Sequence, residues 1–291
     1  MILGLFAAIA VATPMLMLRG RALWRCLASE LTAVLVCGAL AAFARLFGVK
    51  ADPYLAMVAG GAIVLAIVCG FVAFAEEVRW SANRAALFAL LFYILMIPVM
   101  LRTPIDGDEP FYLLMTESLV HDRDLDLGNQ FRDLARTASG RTDLAPQMGD
   151  RVDGAHVRSH LEPFLSFLIA PGYAMGGLIG TLMTIALFGA LLARSTVRLF
   201  EDEGIADATT RALFPLFAFG PPIVFYAARI WPEVPAAWFF VEAVRGVRQR
   251  WAGRWVPAML AMVLLKLRFA LVVLPLCVAA GFSRPARPGR L

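Results

Sequence analysis

The chain has 291 residues, of which 60% are hydrophobic and 17% are charged, and its formal net charge is +5. Soluble domains carry about 45–50% apolar and about 25% charged residues, so this composition excludes an ordinary water-soluble protein and a disordered chain. The positive charge is explained by arginines in the loops that set membrane topology, and we expect no nucleic-acid partner. We therefore predict an all-α, polytopic integral membrane protein.

Apolar blocks near the length of about 20 residues that a transmembrane helix needs recur along the chain. Before the polar stretch at 102–160 they occupy 2–18, 28–48, 54–75 and 85–101, and after it 161–175, 178–199, 209–228, 233–244 and 255–280. This pattern predicts one membrane domain over 1–291 with about eight transmembrane helices. Its parts are four spans in 1–101, a large extracytoplasmic loop carrying interfacial helices in 102–176, the remaining spans in 177–281 and a polar tail in 282–291.

The arginines predict the orientation of these spans. Arg19, Arg21 and Arg25 mark the first connection as cytoplasmic, and the arginines between 245 and 254 mark another cytoplasmic loop. The loop at 102–160 then lies outside, so only one crossing fits between it and the loop at 194–211. Because Pro171-Gly172 and Gly176-Gly177 interrupt this apolar region, we expect a short helix at the outer surface over 161–175 and the crossing over 178–199. The expected location is a bacterial-type inner membrane.

Three carboxylates within four residues, Asp106, Asp108 and Glu109, follow the fourth predicted span directly. Gly107 permits a tight turn and Pro110 suits a first helical turn, so Asp108 or Glu109 is expected to cap a helix over 110–121. Apolar side chains on one side of that helix predict an amphipathic helix in the membrane interface. The acidic turn is then either a solvated cap or a general base, with a divalent cation beside it in the second case.

Two cations, Lys266 and Arg268, lie within the apolar run 255–280. A charge at this depth faces protein, water or a ligand, or it snorkels to the interface. In a regular helix these two side chains diverge by about 200°, so either the helix is broken or one residue only snorkels. The guanidinium fork suits two phosphate oxygens, so we assign phosphate binding to Arg268 and snorkelling to Lys266.

Three further polar residues have two open interpretations each. Arg229 and Glu233 flank an outer turn, where they either pair with each other or contact a ligand. His160 either orients a phosphate or binds a cation, or it is a hydrogen-bonded surface residue.

Four segments together resemble the integral-membrane glycosyltransferases of the GT-C fold. The string Gly-Asp-Glu-Pro-Phe-Tyr-Leu-Leu at 107–114 is similar to the acidic motif in the first large outer loop of that family. The segment 159–163 resembles its His/Lys-Pro-Pro-Leu element, 230–237 its Tyr-Pro-Glu-x-Pro-Ala-Ala element, and 265–269 its basic segment before an apolar run. The resemblance covers roughly residues 100–280, with Phe111 standing where the similar proteins often have His.

The resemblance implies inverting transfer of a sugar from a polyprenyl-phosphate carrier to an extracytoplasmic acceptor, a glycan, lipid or protein. Asp108 matches the catalytic position and acts as general base, with Glu109 beside it. The implied substrate or lipid-phosphate contacts are Asp106, Tyr112, His160, Arg229, Glu233, Lys266 and Arg268. The resemblance leaves two alternatives for a cofactor: there is none, or Asp108, Glu109 and His160 hold Mg²⁺ or Mn²⁺. Expected partners are the sugar donor, membrane lipids and the acceptor. Because similar proteins continue with more helices, the resemblance leads us to expect that the chain lacks the C-terminal part of such an enzyme.

Two alternatives belong to other functional classes. A transporter or flippase for a lipid or polyol would use the intramembrane charges of Lys266 and Arg268 as its pathway. A non-catalytic membrane partner, a truncated relative of the enzyme, would keep the motifs without the activity.

Overall fold

A computed structural model describes residues 79–220 and 222–282. The expected spans 2–18, 28–48 and 54–75 and the polar tail after 282 lie outside the described residues. The described part is mostly helical, as the sequence predicts. Its residues belong to two compact units, one containing 81–204 and 222–282 and one containing 79–80 and 205–220. In the second unit, the rings of Trp80 and Phe214 lie 4.9 Å apart, and Arg79 pairs with Asp207 at 3.2 Å.

The elements follow in chain order with one small hairpin among the helices. The helices are α1 (Ala82–Met100), α2 (Glu109–Glu117), α3 (Gly128–Arg132), α4 (Phe164–Asp202), α5 (Asp207–Phe219), α6 (Ile223–Tyr226), α7 (Glu233–Arg248), α8 (Ala252–Leu265) and α9 (Ala270–Phe282). A π-helical turn over Ser118–Asp122 continues α2, and 3-10 turns lie at Leu134–Arg136 and Leu267–Phe269. The strands β1 (Arg151–Asp153) and β2 (His156–Arg158) pair antiparallel, with Val152 opposite Val157.

Among the described residues, α1 and α4 are long and apolar enough to cross a membrane by length and composition. α1 confirms the helix expected at 85–101. It packs along α4 with a buried side of small residues and Tyr93. Its other side exposes Leu87, Leu91 and Leu95, which are 59%, 53% and 45% accessible. A leucine at every fourth residue on the outside is the pattern expected of a helix that faces lipid.

α4 bends sharply at Gly176 and Gly177, where the backbone leaves the helical region. Gly172 lies against Gly180, since a Cβ on Gly172 would come within 2.5 Å of the Gly180 carbonyl oxygen. A straight helix would separate these two glycines by about 12 Å along its axis. The break predicted at Gly176-Gly177 is therefore confirmed, whereas Pro171 lies inside the first half of α4 without interrupting it.

α2 and its π-helical continuation confirm the helix expected over 110–121, but the amphipathic character predicted for it is wrong. Every residue of α2 from Glu109 to Thr116 is buried. Its apolar side chains form one core with residues of α4, with Leu127 and with Ile230. Because protein surrounds α2 from Glu109 to Thr116, the Glu109 carboxylate is held by protein groups instead of lying on an interfacial surface.

Two expected spans are not continuous helices. In the segment 209–228, α5 ends at Phe219, Gly220 is extended, and α6 has four residues. In the segment 255–280, Lys266 adopts an extended conformation with φ −155° and ψ 130° between α8 and the 3-10 turn. Of the two alternatives for Lys266 and Arg268, the broken helix is therefore the one observed.

The polar loop is held together by a contact between Asp126 and the β-hairpin. The carboxylate of Asp126 pairs with His156 Nδ1 and accepts the N–H groups of Val157 (2.9 Å) and Gly128 (3.0 Å). The hydrogen bond from His156 and these two N–H groups lower the pKa of Asp126 to about 2. Asp126 in turn raises the pKa of His156.

These two shifts predict that the hairpin is held most firmly between about pH 4 and pH 6.5. The stabilisation from Asp126 is present above its unfolded pKa and is lost as pH falls towards 2. The stabilisation from His156 is present below its unfolded pKa and is lost as pH rises through the raised folded value. We expect hydrogen exchange of the Val157 amide, corrected for its intrinsic rate, to follow this window. The His156→Ala variant should lose the alkaline limb, and protection that is constant from pH 5 to pH 9 would contradict the pairing.

Candidate functional site

Glu109, at the start of α2, is fixed by two segments distant in sequence. Its Oε1 accepts the backbone N–H of Ile230 at 2.7 Å, and its Oε2 accepts Nη1 of Arg229 at 3.0 Å. Oε2 also accepts the N–H of Asp106 at 3.4 Å. Burial raises the pKa of Glu109, while Ile230 N–H and Arg229 act in the opposite direction. Both oxygens are thus engaged in a side chain that is 3% exposed.

Asp108 lies beside Glu109 but has a different environment. Gly107 has φ +63°, a left-handed conformation that suits glycine, and a Cβ there would approach the Trp231 ring at 3.1 Å. Asp108 follows at the N-cap position of α2, and its side chain does not cap the helix. Instead, Asp108 Oδ2 accepts Lys266 Nζ at 2.9 Å, and the Asp108 side chain remains 25% exposed.

The contact with Asp108 corrects the assignment of Lys266 as a snorkelling residue. Lys266 is 9% exposed, and its ammonium group points to a carboxylate within the protein. The extended backbone at Lys266 allows this, and Glu162 Oε1 secures the break by accepting the N–H of Leu267 at 3.0 Å.

Arg268 pairs with Glu233, the first residue of α7, through Nη2 and Oε1. Its guanidinium also lies 5.4 Å from the Phe269 ring centroid, and its side chain is 57% exposed. Arg229 and Glu233 therefore do not pair with each other: Arg229 binds Glu109 and the Pro104 carbonyl, and Glu233 binds Arg268. The cations of the two acid–cation pairs, Asp108–Lys266 and Glu233–Arg268, are therefore only two residues apart, at the break between α8 and α9.

Tyr112 is buried next to these pairs, one helical turn after Asp108. Among the described residues, neither its hydroxyl nor Glu233 Oε2 has a hydrogen-bond partner. Burial raises the pKa of Tyr112, and the negative charges of Asp108, Glu162 and Glu233 raise it further, while Arg268 opposes them.

The remaining predicted site residues have other partners. Asp106 Oδ1 accepts the N–H of Gly107 at 2.8 Å and lies 3.8 Å from Arg141 Nη1. His160 Nδ1 pairs with Asp150 Oδ1 at 2.8 Å. Within 79–220 and 222–282, no group of three or more His, Cys, Asp or Glu side chains is arranged to hold a metal ion. The proposed ligand set of Asp108, Glu109 and His160 is thus not assembled in the described part of the chain.

A cavity of about 360 Å³ adjoins Glu109. Arg141, Arg229 and Glu109 supply its charged lining, and the C-terminal end of α1 and the second half of α4 supply apolar side chains. Sequence reasoning missed Arg141, which donates to both oxygens of Asp143 and to the Ile105 carbonyl. It also missed the role of Glu162, although this residue stands in the segment that resembles a family element. A single arginine in a polar loop gives no local indication that it contacts Asp143 or the Ile105 carbonyl.

The scan against protein-family models and the searches of curated proteins and of solved structures found no significant match to this chain.

Proposed function

We propose that the protein is a membrane glycosyltransferase similar to the GT-C enzymes, which moves a sugar from a polyprenyl-phosphate carrier to an extracytoplasmic acceptor. The observation that carries the proposal is the contact between Asp108 and Lys266, residues 158 positions apart, in a cluster that also holds Arg268. A partly exposed carboxylate paired with Lys266, with Arg268 two residues further along the chain, provides a proton acceptor and a binding place for an anionic leaving group in one site.

The chemistry follows from the different environments of the two acids. Glu109 has both oxygens engaged, so it holds α2 in place, whereas Asp108 is partly exposed and is the proposed base. The acceptor oxygen attacks the anomeric carbon and transfers its proton to Asp108. The bond from the anomeric carbon to the phosphate oxygen breaks on the opposite face, and polyprenyl phosphate leaves with the bonding electrons. Inversion at the sugar carbon results.

The two cations have separate roles in this proposal. Arg268 is more than half exposed and is paired with Glu233. In the proposal its guanidinium binds two oxygens of the carrier phosphate while it keeps its contact with Glu233. Lys266 remains beside Asp108 and neutralises charge within the site.

The carrier and the acceptor set the proposed location. A polyprenyl chain partitions into the bilayer, and the exposed leucines of α1 support contact of the protein with lipid. The arginine distribution in the sequence favours the extracytoplasmic side for the site. Membrane lipids, the sugar donor and the acceptor are the proposed partners.

Transfer is tested with the purified chain in liposomes that contain a short polyprenyl-phosphate sugar labelled in the sugar. We expect labelled product with candidate acceptors, and free polyprenyl phosphate in equal amount. Protein with Asp108→Asn serves as the matched control. Absence of sugar release with every acceptor, including water, would overturn the proposal.

A transporter or flippase remains the second candidate because the break at Lys266 places charges between two apolar helices, as in the discontinuous helices of transporters. In the same liposomes, a flippase would expose a fluorescent carrier lipid to a quencher on the opposite side without breaking the sugar–phosphate bond. Quenching without bond cleavage favours the flippase, and cleavage without quenching favours the transferase.

A further inference from the structure

The cavity of about 360 Å³ beside Glu109 lies where two apolar helices begin or end. Met100 and Leu101 at the C-terminal end of α1, and Leu178 and Leu182 in the second half of α4, form its apolar wall. Leu101 is 43% exposed, so the wall continues to the surface of the protein. In a membrane, the end of a helix as long as α1 lies at the depth of the lipid head groups, and the cavity lies at the same depth.

Arg229 brings a partly unused guanidinium group into the lining of this cavity. Its Nη1 donates to Glu109 Oε2 at 3.0 Å and to the Pro104 carbonyl at 2.9 Å. Within 79–220 and 222–282, its Nε and Nη2 have no hydrogen-bond partner, and the side chain is 24% exposed. Nε and Nη2 together form the edge of a guanidinium that binds two oxygens of an anion side by side. Arg229 therefore keeps a two-pronged anion-binding edge that the described residues do not use.

The charges around the cavity favour an anion with a single negative charge. The lining holds two guanidinium groups, those of Arg141 and Arg229, and one carboxylate, that of Glu109. Asp143, which binds Arg141, lies outside the lining and is 67% exposed, so water and ions screen part of its charge. At most one positive charge thus remains for a ligand. A doubly charged phosphate would bring an uncompensated charge close to Glu109, whereas a phosphodiester would not.

The cavity is separate from the proposed transfer site. Asp108, Lys266 and Arg268 are not among the described residues that line it. Glu109 lines it, but both of its oxygens are engaged, so it offers no free base to a ligand there. A molecule held at Arg229 is therefore bound without meeting the group that takes the proton. Basic pockets between transmembrane helices are places where lipid head groups bind.

We infer that Arg229 binds the phosphodiester of a membrane phospholipid through Nε and Nη2. The glycerol–phosphate part of the lipid occupies the cavity, and the acyl chains extend over Leu101 and Leu178 into the bilayer. The phospholipid is a bound, unreacted partner of the chain, and its binding is independent of sugar transfer.

Binding is measured by native mass spectrometry of the delipidated full chain in detergent, titrated with dioleoylphosphatidylglycerol. We expect one saturable lipid and a melting temperature that rises with the lipid concentration. Arg229→Lys keeps a positive charge beside Glu109 but loses the two-pronged contact. It should weaken binding by about tenfold, the effect of losing one charged hydrogen bond.

Arg102→Gln is the matched control for charge. Arg102 is exposed and stands between two residues of the lining, Leu101 and Thr103, but does not line the cavity itself. Its replacement should leave the affinity nearly unchanged. Equal losses for Arg102→Gln and Arg229→Lys would make the binding an unspecific attraction of lipid to positive charge and overturn the assignment.

A second variant leaves every charge in place. Leu178→Trp enlarges a partly buried side chain of the lining and should abolish the saturable binding. Ile179→Trp is its control, because Ile179 is 54% exposed on the same helix and lies outside the lining. Phospholipid binding that survives Leu178→Trp unchanged would show that the lipid is bound elsewhere, and this result alone refutes the site.

Competitors identify the source of the phosphate. Dimethyl phosphate supplies a free diester, oleate a carboxylate on one chain, and dioleoylglycerol the two chains without phosphate. None should displace the phospholipid at equal concentration, and displacement by any of them contradicts a phospholipid site. Equal displacement by a polyprenyl-phosphate sugar would assign the cavity to the carrier instead. Sugar release without specific phospholipid binding refutes the lipid site alone, and lipid binding without sugar release refutes the transferase alone.

Discussion

Replacing Asp108 with asparagine should lower sugar transfer by about 10²–10⁴-fold, the typical loss when a general base is removed. Asparagine keeps the size of the side chain and an oxygen for Lys266 but cannot take a proton at neutral pH. The initial rate of product formation at saturating donor measures the effect. The matched control is Asp143→Asn, which removes a carboxylate from an exposed pair with Arg141 and should leave the rate within a few-fold.

The ion pair with Lys266 requires a second control, because Asp108→Asn also leaves a nearly buried ammonium without its counter-charge. Removing both partners of a pair is much less destabilising than removing one. The double variant Asp108→Asn with Lys266→Met should therefore recover stability without recovering activity. If activity returns together with stability, Asp108 has only a structural role, and another group is the base.

The sequence predicted those parts of the site that depend on local signals. The acidic turn before α2 was recognisable because Gly107 and Pro110 flank the carboxylates, and the bend of α4 because two glycines adjoin each other. Tertiary contacts decided the rest. No glycine or proline stands between 264 and 268, and the break at Lys266 is stabilised by Glu162 and Asp108, more than 100 residues earlier.

The burial of α2 could not be predicted from the sequence pattern, again because tertiary contacts decide it. Phe111, Leu114 and Met115 indicate an apolar side, but Tyr112 and Leu113 on other sides are equally buried because α4 and the loop after α2 surround the helix. An apparently amphipathic helix and a fully enclosed one share this pattern when charged residues find partners in other segments. Glu109 is such a residue, and its partners Arg229 and Ile230 follow about 120 positions later.

This enclosure makes Glu109 the residue whose loss should most affect stability. In Glu109→Ala, Arg229 keeps a largely buried charge without a counter-ion, and the N–H of Ile230 loses its acceptor. We expect the free energy of unfolding, measured by denaturant titration in detergent micelles, to fall by about 2–4 kcal/mol. Glu109→Gln retains an acceptor for Ile230 and should lose less.

The comparison for this prediction is Glu201→Ala, in which a half-exposed glutamate loses a 3.5 Å pair with Arg198. Exposed pairs of this kind contribute little, so its free energy of unfolding should stay within about 0.5 kcal/mol of the native value. A similarly small effect for Glu109→Ala would show that Glu109 does not anchor α2. Its carboxylate would then be free to act as the base, and the roles proposed for Asp108 and Glu109 would have to be exchanged.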